Sequence, residues 1–314
     1  MEQNKILKIR TGSHLYGTNT PESDEDFSGI FIADEDYYFG LKKLENDELD
    51  LSVESRDERG KNTSEALDYK LYEIRKLATL ALTNNPNIIE HLFVNQENIL
   101  YADNYANMLL RNAHLFPHKG VYDKFIGYAN SQKHKMIIKL ENYEQLSAAL
   151  EFFKQQESNE YIVMFRDDPK VKKFFTEKGS HFIIGDLNFQ KHLMVKKVVF
   201  ALNDRLSKIT NRNELVLKYG YDTKFASHLI RLLSEGGTLL ETGKLEFPLY
   251  NADFLLQIKQ GKFELEQILS IAENLELELG RSKEKSLLPD EPQFEKVNDL
   301  VKQITRSFFW SKDE

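Results

Sequence analysis

A chain of 314 residues, 41% hydrophobic and 29% charged, carries core material for one large soluble domain or two of ordinary size. The absence of cysteine excludes disulfides, thiolate nucleophiles and Cys-based zinc sites. A net charge of −8 argues against sequence-blind coating of nucleic acid while leaving room for a local basic groove, and the start Met1-Glu2-Gln3-Asn4-Lys5 lacks a secretory layout, so a cytoplasmic protein without a membrane partner is expected.

Ile6, Leu7 and Ile9 predict a strand over residues 6–10 that runs into Gly12-Ser13. A glycine just past a strand lets backbone approach a ligand, and Ser13 offers an N–H and a hydroxyl to phosphate oxygens. Residues 14–23, with Gly17 and Pro21, read as a turn or a very short helix. Asp26 opens a second apolar run over 26–32. Asp24 stands two residues before it, so on an extended chain both carboxylates project from one face. Such a pair suits Mg²⁺, which takes one or two hard oxygen ligands from protein and the rest from water and substrate phosphates. A phosphate cradle and a magnesium pair at adjoining strand ends point to phosphoryl or nucleotidyl transfer. By spacing alone, the same residues also describe a polar turn whose acids cap a loop.

Leu49, Leu51 and Val53 predict a third strand, residues 55–63 a charged loop turning at Gly60, and Leu67, Tyr69 and Leu71 a strand that pairs with the third. From Glu73 the period becomes helical, with Ile74, Leu77, Ala78, Ala81 and Leu82 in one stripe that ends at Asn84-Asn85-Pro86. A short helix over 88–93 follows. Asp68 stands where it can complete a three-carboxylate site and act as base toward an incoming hydroxyl, and equally where it can cap the helix after it. Asp50 and Glu54 are rivals on the neighbouring strand.

Beyond residue 95 the chain reads as predominantly helical, with helices over 105–113, 124–140, 143–155 and 189–209 and a small hairpin of 161–165 with 181–184. Basic clusters at Lys133-His134-Lys135, at Lys170, Lys172 and Lys173, and at Lys196-Lys197 describe solvated faces or a phosphate- or RNA-binding groove. Within 221–233, Lys224, His228 and Arg231 fall at i, i+4 and i+7 and share a face. Such a row suits a polyphosphate whose charge grows at the leaving group, and also reads as a solvated basic edge. Gly236-Gly237 predicts a helix interruption, and helices over 251–259, 265–279 and 295–309 follow, the last two joined by an extended linker at 287–292.

Gly12-Ser13 followed by Asp24-x-Asp26 resembles the nucleotidyltransferases of the DNA polymerase beta superfamily. More narrowly, Gly12-Ser-His-Leu-Tyr-Gly17, Thr20-Pro-Glu-Ser-Asp-Glu-Asp26, Asn85-Pro-Asn-Ile-Ile-Glu90, Tyr221-Asp-Thr-Lys-Phe-Ala-Ser-His-Leu-Ile-Arg231 and Leu288-Pro-Asp-Glu-Pro292 are similar to a branch of predicted nucleotidyltransferases found in bacteria and phages, some of them associated with RNA repair. The resemblance implies an α+β fold, with a small mixed-sheet catalytic domain over 1–100 and a mostly helical domain over 101–314 that closes over the nucleotide. It implies Asp24, Asp26 and Asp68 as catalytic ligands of two Mg²⁺ or Mn²⁺ ions. Gly12 and Ser13 become triphosphate contacts, joined on grounds of charge by Lys224, His228 and Arg231. The superfamily often places an Arg and a regular helix between the Gly-Ser pair and the acidic pair, where this chain has His14 and a turn with Gly17 and Pro21.

The activity so implied is transfer of a nucleoside monophosphate from an NTP to a hydroxyl acceptor, an RNA end among the candidates, with release of pyrophosphate. The alternatives are a nucleotide- or RNA-binding module without turnover, and a transferase acting on a protein side chain. The spacing encodes neither the base of the NTP nor the oligomeric state.

Overall fold

Ile6, Leu7 and Ile9 are fully buried in β1 (Lys5–Thr11), the first strand of a computed structural model that describes residues 4–21, 23–53, 67–212 and 214–310. A single helical turn, α1 (Gly12–Tyr16), ends at Gly17 in the left-handed conformation and leads to β2 (Asp26–Phe31). β3 (Glu48–Asp50) and β4 (Asp68–Glu73) follow, then α2 (Ile74–Leu82), α3 (Pro86–Ile89), β5 (Ile99–Ala102) and α4 (Asn104–Arg111). The strands form one mixed sheet in the order β3-β4-β2-β1-β5. β2 pairs in parallel with β4, and the other pairs are antiparallel. A parallel pair needs a long crossover, which the chain between Phe31 and Asp68 supplies. β5 extends the sheet at the β1 edge, in a stretch for which the sequence pattern suggested no strand.

One face of the sheet buries Phe31, Ala33, Tyr69 and Leu71, with Tyr37, Tyr38 and Leu49 packed against them. α2 buries the expected stripe of Ile74, Leu77, Ala78, Ala81 and Leu82. Its N-cap is the buried Glu73, whose carboxylate accepts the N–H groups of Arg75 and Lys76 at 2.9 and 3.3 Å. Asp68 is thereby excluded as the cap and stands at the far end of the same strand. Asn84 turns the chain with φ 52°, ending α2 at the Asn-Asn-Pro run as expected, and Asn85 caps α3, which starts at Pro86 where 88 was expected.

α5 (Val121–Phe153) is one helix of 33 residues, where two were expected. Glu141 and Asn142 interrupt the apolar period there, but neither is a helix breaker, so the backbone hydrogen bonds continue through them. β6 (Thr176–Lys178), β7 (His181–Ile184) and β8 (Leu187–Gln190) form an antiparallel sheet, followed by α6 (Val195–Arg212) and α7 (Glu214–Tyr219). The expected hairpin partner at 161–165 is instead a 3-10 turn, and Phe189 lies in β8, so the helix expected from 189 begins at Val195. Phe153, Phe174, Phe182 and Phe189 centre an aromatic core here with Ile162, Val198 and Leu202.

α8 (Thr223–Thr242) runs unbroken through Gly236 and Gly237. A Cβ at Gly236 would lie 3.1 Å from atoms of both Leu279 and Phe125, so this glycine permits close helix packing and does not end the helix. α9 (Ala252–Lys259), α10 (Leu265–Lys285) and α11 (Phe294–Trp310) complete the chain. α11 packs on α4 and α2, with Phe308 against Tyr105 and Phe309 against Tyr38 at ring separations of 5.3 Å.

The chain divides into two compact units, one of Met1–Asn130 with Ser227–Glu314 and one of Ser131–Ala226. That division differs from an N-terminal 1–100 and a C-terminal 101–314, because the last helices pack in the unit of the N-terminal sheet. The class is α+β, with a small mixed sheet near the N-terminus followed by helices.

Candidate active site

β2 and β4 lie in parallel register with Asp26 directly beside Asp68, each the first residue of its strand. Residues paired in this way share a face of the sheet, and so do those two further along each strand. Asp26 and Ser28 from β2, with Asp68, Lys70 and Tyr72 from β4, therefore line a single pocket of about 310 Å³. Thr11, Gly12 and Tyr16 border it on one side and Asn87, Glu90 and His91 on another. Gly12 has φ +63°, and a Cβ built on it would fall 2.2 Å from Asp26 Oδ2. Only a hydrogen fits there, so glycine holds the end of β1 against the carboxylate. Ser13 is half-buried; its carbonyl accepts the N–H groups of Gly17 and Thr18, closing the turn that carries the chain away from the pocket.

Burial raises the Asp26 carboxyl above its ordinary range, Asp68 and Asp24 raise it further, and His14 and Lys259 pull it back. Asp24 precedes β2 and is exposed. Asp68 is exposed as well, and the Ser52 hydroxyl donates to its Oδ1 at 3.2 Å. Of its rivals, Asp50 accepts the Ser52 N–H at 3.0 Å and pairs across the strands with Lys70, and Glu54 lies outside the described residues. Among the described residues no three His, Asp or Glu side chains converge closely enough to hold a metal ion. The pair Asp26 and Asp68 matches the one or two carboxylates that Mg²⁺ takes when water and phosphate oxygens complete its octahedron.

The three basic residues of α8 separate. Lys224 and His228 are exposed, and Lys224 belongs to the Ser131–Ala226 unit. Arg231 is 4% exposed, and its Nη1 donates to both carboxylate oxygens of Glu235 at 3.0 and 2.8 Å and lies 3.5 Å from Glu90 Oε2. Its guanidinium sits 4.3 Å from the ring centre of Tyr16, whose hydroxyl donates to Glu90 at 2.8 Å. Arg231 is thus engaged in a buried ion cluster, where the sequence suggested an open cation. Two glutamates against one arginine leave an excess negative charge in a buried site. Burial pushes Glu90 up to about 8 and raises Glu235, so the cluster keeps a proton at neutral pH. Tyr16 and Glu90 also line the pocket, and the cluster forms part of its wall.

Residues that sequence reasoning passed over complete the surroundings. Lys259 Nζ, in the last turn of α9, donates to Thr18 Oγ1 at 2.8 Å. It is one of the two basic residues that pull Asp26 down. His91, buried and pushed down to about 4 by that burial, stays neutral and lies 2.6 Å from the Ser28 hydroxyl. Glu90 and Tyr16 stand inside the blocks that carried the family resemblance, which was the one signal for them. Nothing local marks Lys259.

Nearly the whole chain, from residue 2 to residue 303, matches the model of the RNA repair pathway DNA polymerase beta family, a span that contains every block of that resemblance. The chain is also similar to an uncharacterized 38.9 kDa protein from the nrdC-mobD intergenic region of Enterobacteria phage T4. The two are 24% identical over 299 residues, covering 86% of this chain and 87% of the phage protein. Among the described residues no helix is long and apolar enough to cross a membrane.

Proposed function

Because this chain belongs to the RNA repair pathway DNA polymerase beta family, we propose that its pocket transfers a nucleoside monophosphate from an NTP to a hydroxyl at an RNA end and releases pyrophosphate. The observation that carries this reading is the alignment of Asp26 with Asp68 at adjacent strand starts, pressed against the bare backbone of Gly12. Asp26 and Asp68 would hold Mg²⁺ or Mn²⁺, which neutralises triphosphate charge and activates the attacking oxygen.

The chain's own groups divide the remaining work. Asp68, exposed and held by one serine hydroxyl, takes the proton of the acceptor hydroxyl as that oxygen bonds to the α-phosphorus. The bond from the α-phosphorus to the bridging oxygen of the β-phosphate breaks, and pyrophosphate leaves with that oxygen. Gly12 keeps side-chain bulk away from the reacting phosphate. Lys70 in the pocket and Lys259 near Asp26 offset the negative charge gathered there. A protonated Glu90 keeps the wall from repelling the triphosphate.

Incubation with α-labelled NTPs and short RNAs ending in either a 3′-hydroxyl or a 3′-phosphate tests the acceptor. Label should enter only the hydroxyl-ended RNA. Label that enters protein and no RNA would replace the RNA end with a side-chain acceptor, and label in neither would remove the transfer reading.

A further inference from the structure

Charge is divided unevenly along this chain. The Ser131–Ala226 unit holds 17 Lys and Arg against 12 Asp and Glu, a net +5, whereas the remaining residues hold 25 against 38, a net −13. A polyanionic strand is repelled by the second set and drawn to the first.

Within the basic unit, the start of α6 gathers the needed chemistry. Lys196 and Lys197 are exposed, and Phe200, one turn on and on the same face, is 75% exposed. Tyr161, 42% exposed, pairs through its backbone with Met194, and its ring lies 6.4 Å from that of the exposed His192. Lys196 Nζ reaches Asn159 at 3.3 Å, which places the lysine beside the Tyr161 turn. The scaffold beneath is firm, since Val195 and Val198 are buried and the Val195 N–H donates to the Glu160 carbonyl at 2.8 Å. Solvent-facing rings set among ammonium groups, one on α6 and one in the turn beside its start, are what a single strand needs, because its bases stack on rings while its phosphates meet cations.

We propose that this face binds a single-stranded nucleic acid, with Lys196 and Lys197 on its phosphates and Tyr161 and Phe200 against its bases. The proposal rests on the nucleotidyl transfer reading only in naming that strand as the acceptor. The test is fluorescence anisotropy on the full chain at several salt concentrations, with a short single-stranded RNA, the matching single-stranded DNA and an RNA hairpin. Single strands should bind more tightly than the hairpin. Reversing both lysines, K196E with K197E, should weaken binding and flatten the plot of log affinity against log salt by about 1.4 or more, at about 0.7 for each phosphate that is no longer neutralised. Phe200→Ala should weaken binding about 5- to 100-fold with little change in that slope.

Unchanged binding in both variants, equal affinity for the hairpin, or no binding of any strand by the wild-type chain would overturn the proposal. Asp26→Asn should keep strand binding, so a failure of the transfer reading remains distinct from a failure of this one.

Discussion

Replacing Arg231 with methionine removes the one positive charge from a cluster that contains two buried glutamates, 3% and 1% exposed. The variant loses both hydrogen bonds to Glu235 and the stacking on Tyr16. Removing one partner of a buried pair costs about 3–5 kcal/mol, because the other charge is left uncompensated. At about 2–4 °C per kcal/mol for a body of this size, the melting temperature read by circular dichroism should fall by roughly 6–20 °C. The abandoned glutamates escape part of that penalty by holding protons. Their folded pKa rises, so stability falls as pH increases through it, and the deficit should be larger at alkaline than at mildly acidic pH. Adding Glu90→Gln and Glu235→Gln to the same chain should recover most of the loss, since a buried ion cluster replaced as a whole is often neutral. A methionine variant that melts like the wild type and loses only NTP affinity would refute the buried-cluster account and return Arg231 to the triphosphate.

Gly12→Ala places a Cβ at 2.2 Å from Asp26 Oδ2 and a side chain at positive φ; stability should drop by about 1–2 kcal/mol and turnover by about a hundredfold, and full activity would contradict the close approach. In the wild type, folded Glu90 keeps its proton up to about pH 8 while the unfolded chain releases it near 4.5, so stability declines with rising pH across that window. Glu90→Gln should flatten the decline by up to about 1.4 kcal/mol per pH unit in urea titrations, and parallel profiles would show that Glu90 is not the group responsible. Lys259→Met removes a partly buried cation whose charge reaches Asp26, so NTP affinity should fall while stability changes by less than about 1 kcal/mol; unaltered affinity would separate Lys259 from the site.

Gly12 and Asp26 were legible as strand ends because a period of two and a glycine at the break are local signals, and both stand at those ends in the structure. Asp68 was read on a strand beside the Asp24/Asp26 run, but that β4 pairs with β2 in parallel was not legible, since alternation identifies a strand and not the direction of its neighbour. Lys224, His228 and Arg231 share a helical face by spacing, yet two are exposed and one is buried. The difference arises where Glu90 and Tyr16, distant in sequence, cover the helix at Arg231. Gly236-Gly237 read as a break for a similar reason, because the Leu279 and Phe125 side chains that make glycine useful there come from other helices. Lys259 lies more than two hundred residues from Thr18, its partner, and only the folded chain joins them.

The central claim is that Asp26 and Asp68 act together in nucleotidyl transfer. Pyrophosphate release from each of the four NTPs, with Mg²⁺ or Mn²⁺ and with or without short RNAs, tests it directly when wild type, Asp26→Asn and Asp68→Asn are compared at matched folding by circular dichroism. Release should depend on the metal, increase with RNA and be abolished by either substitution. Release that survives in both folded variants, or a folded wild type that is silent with every NTP, metal and RNA, would contradict it.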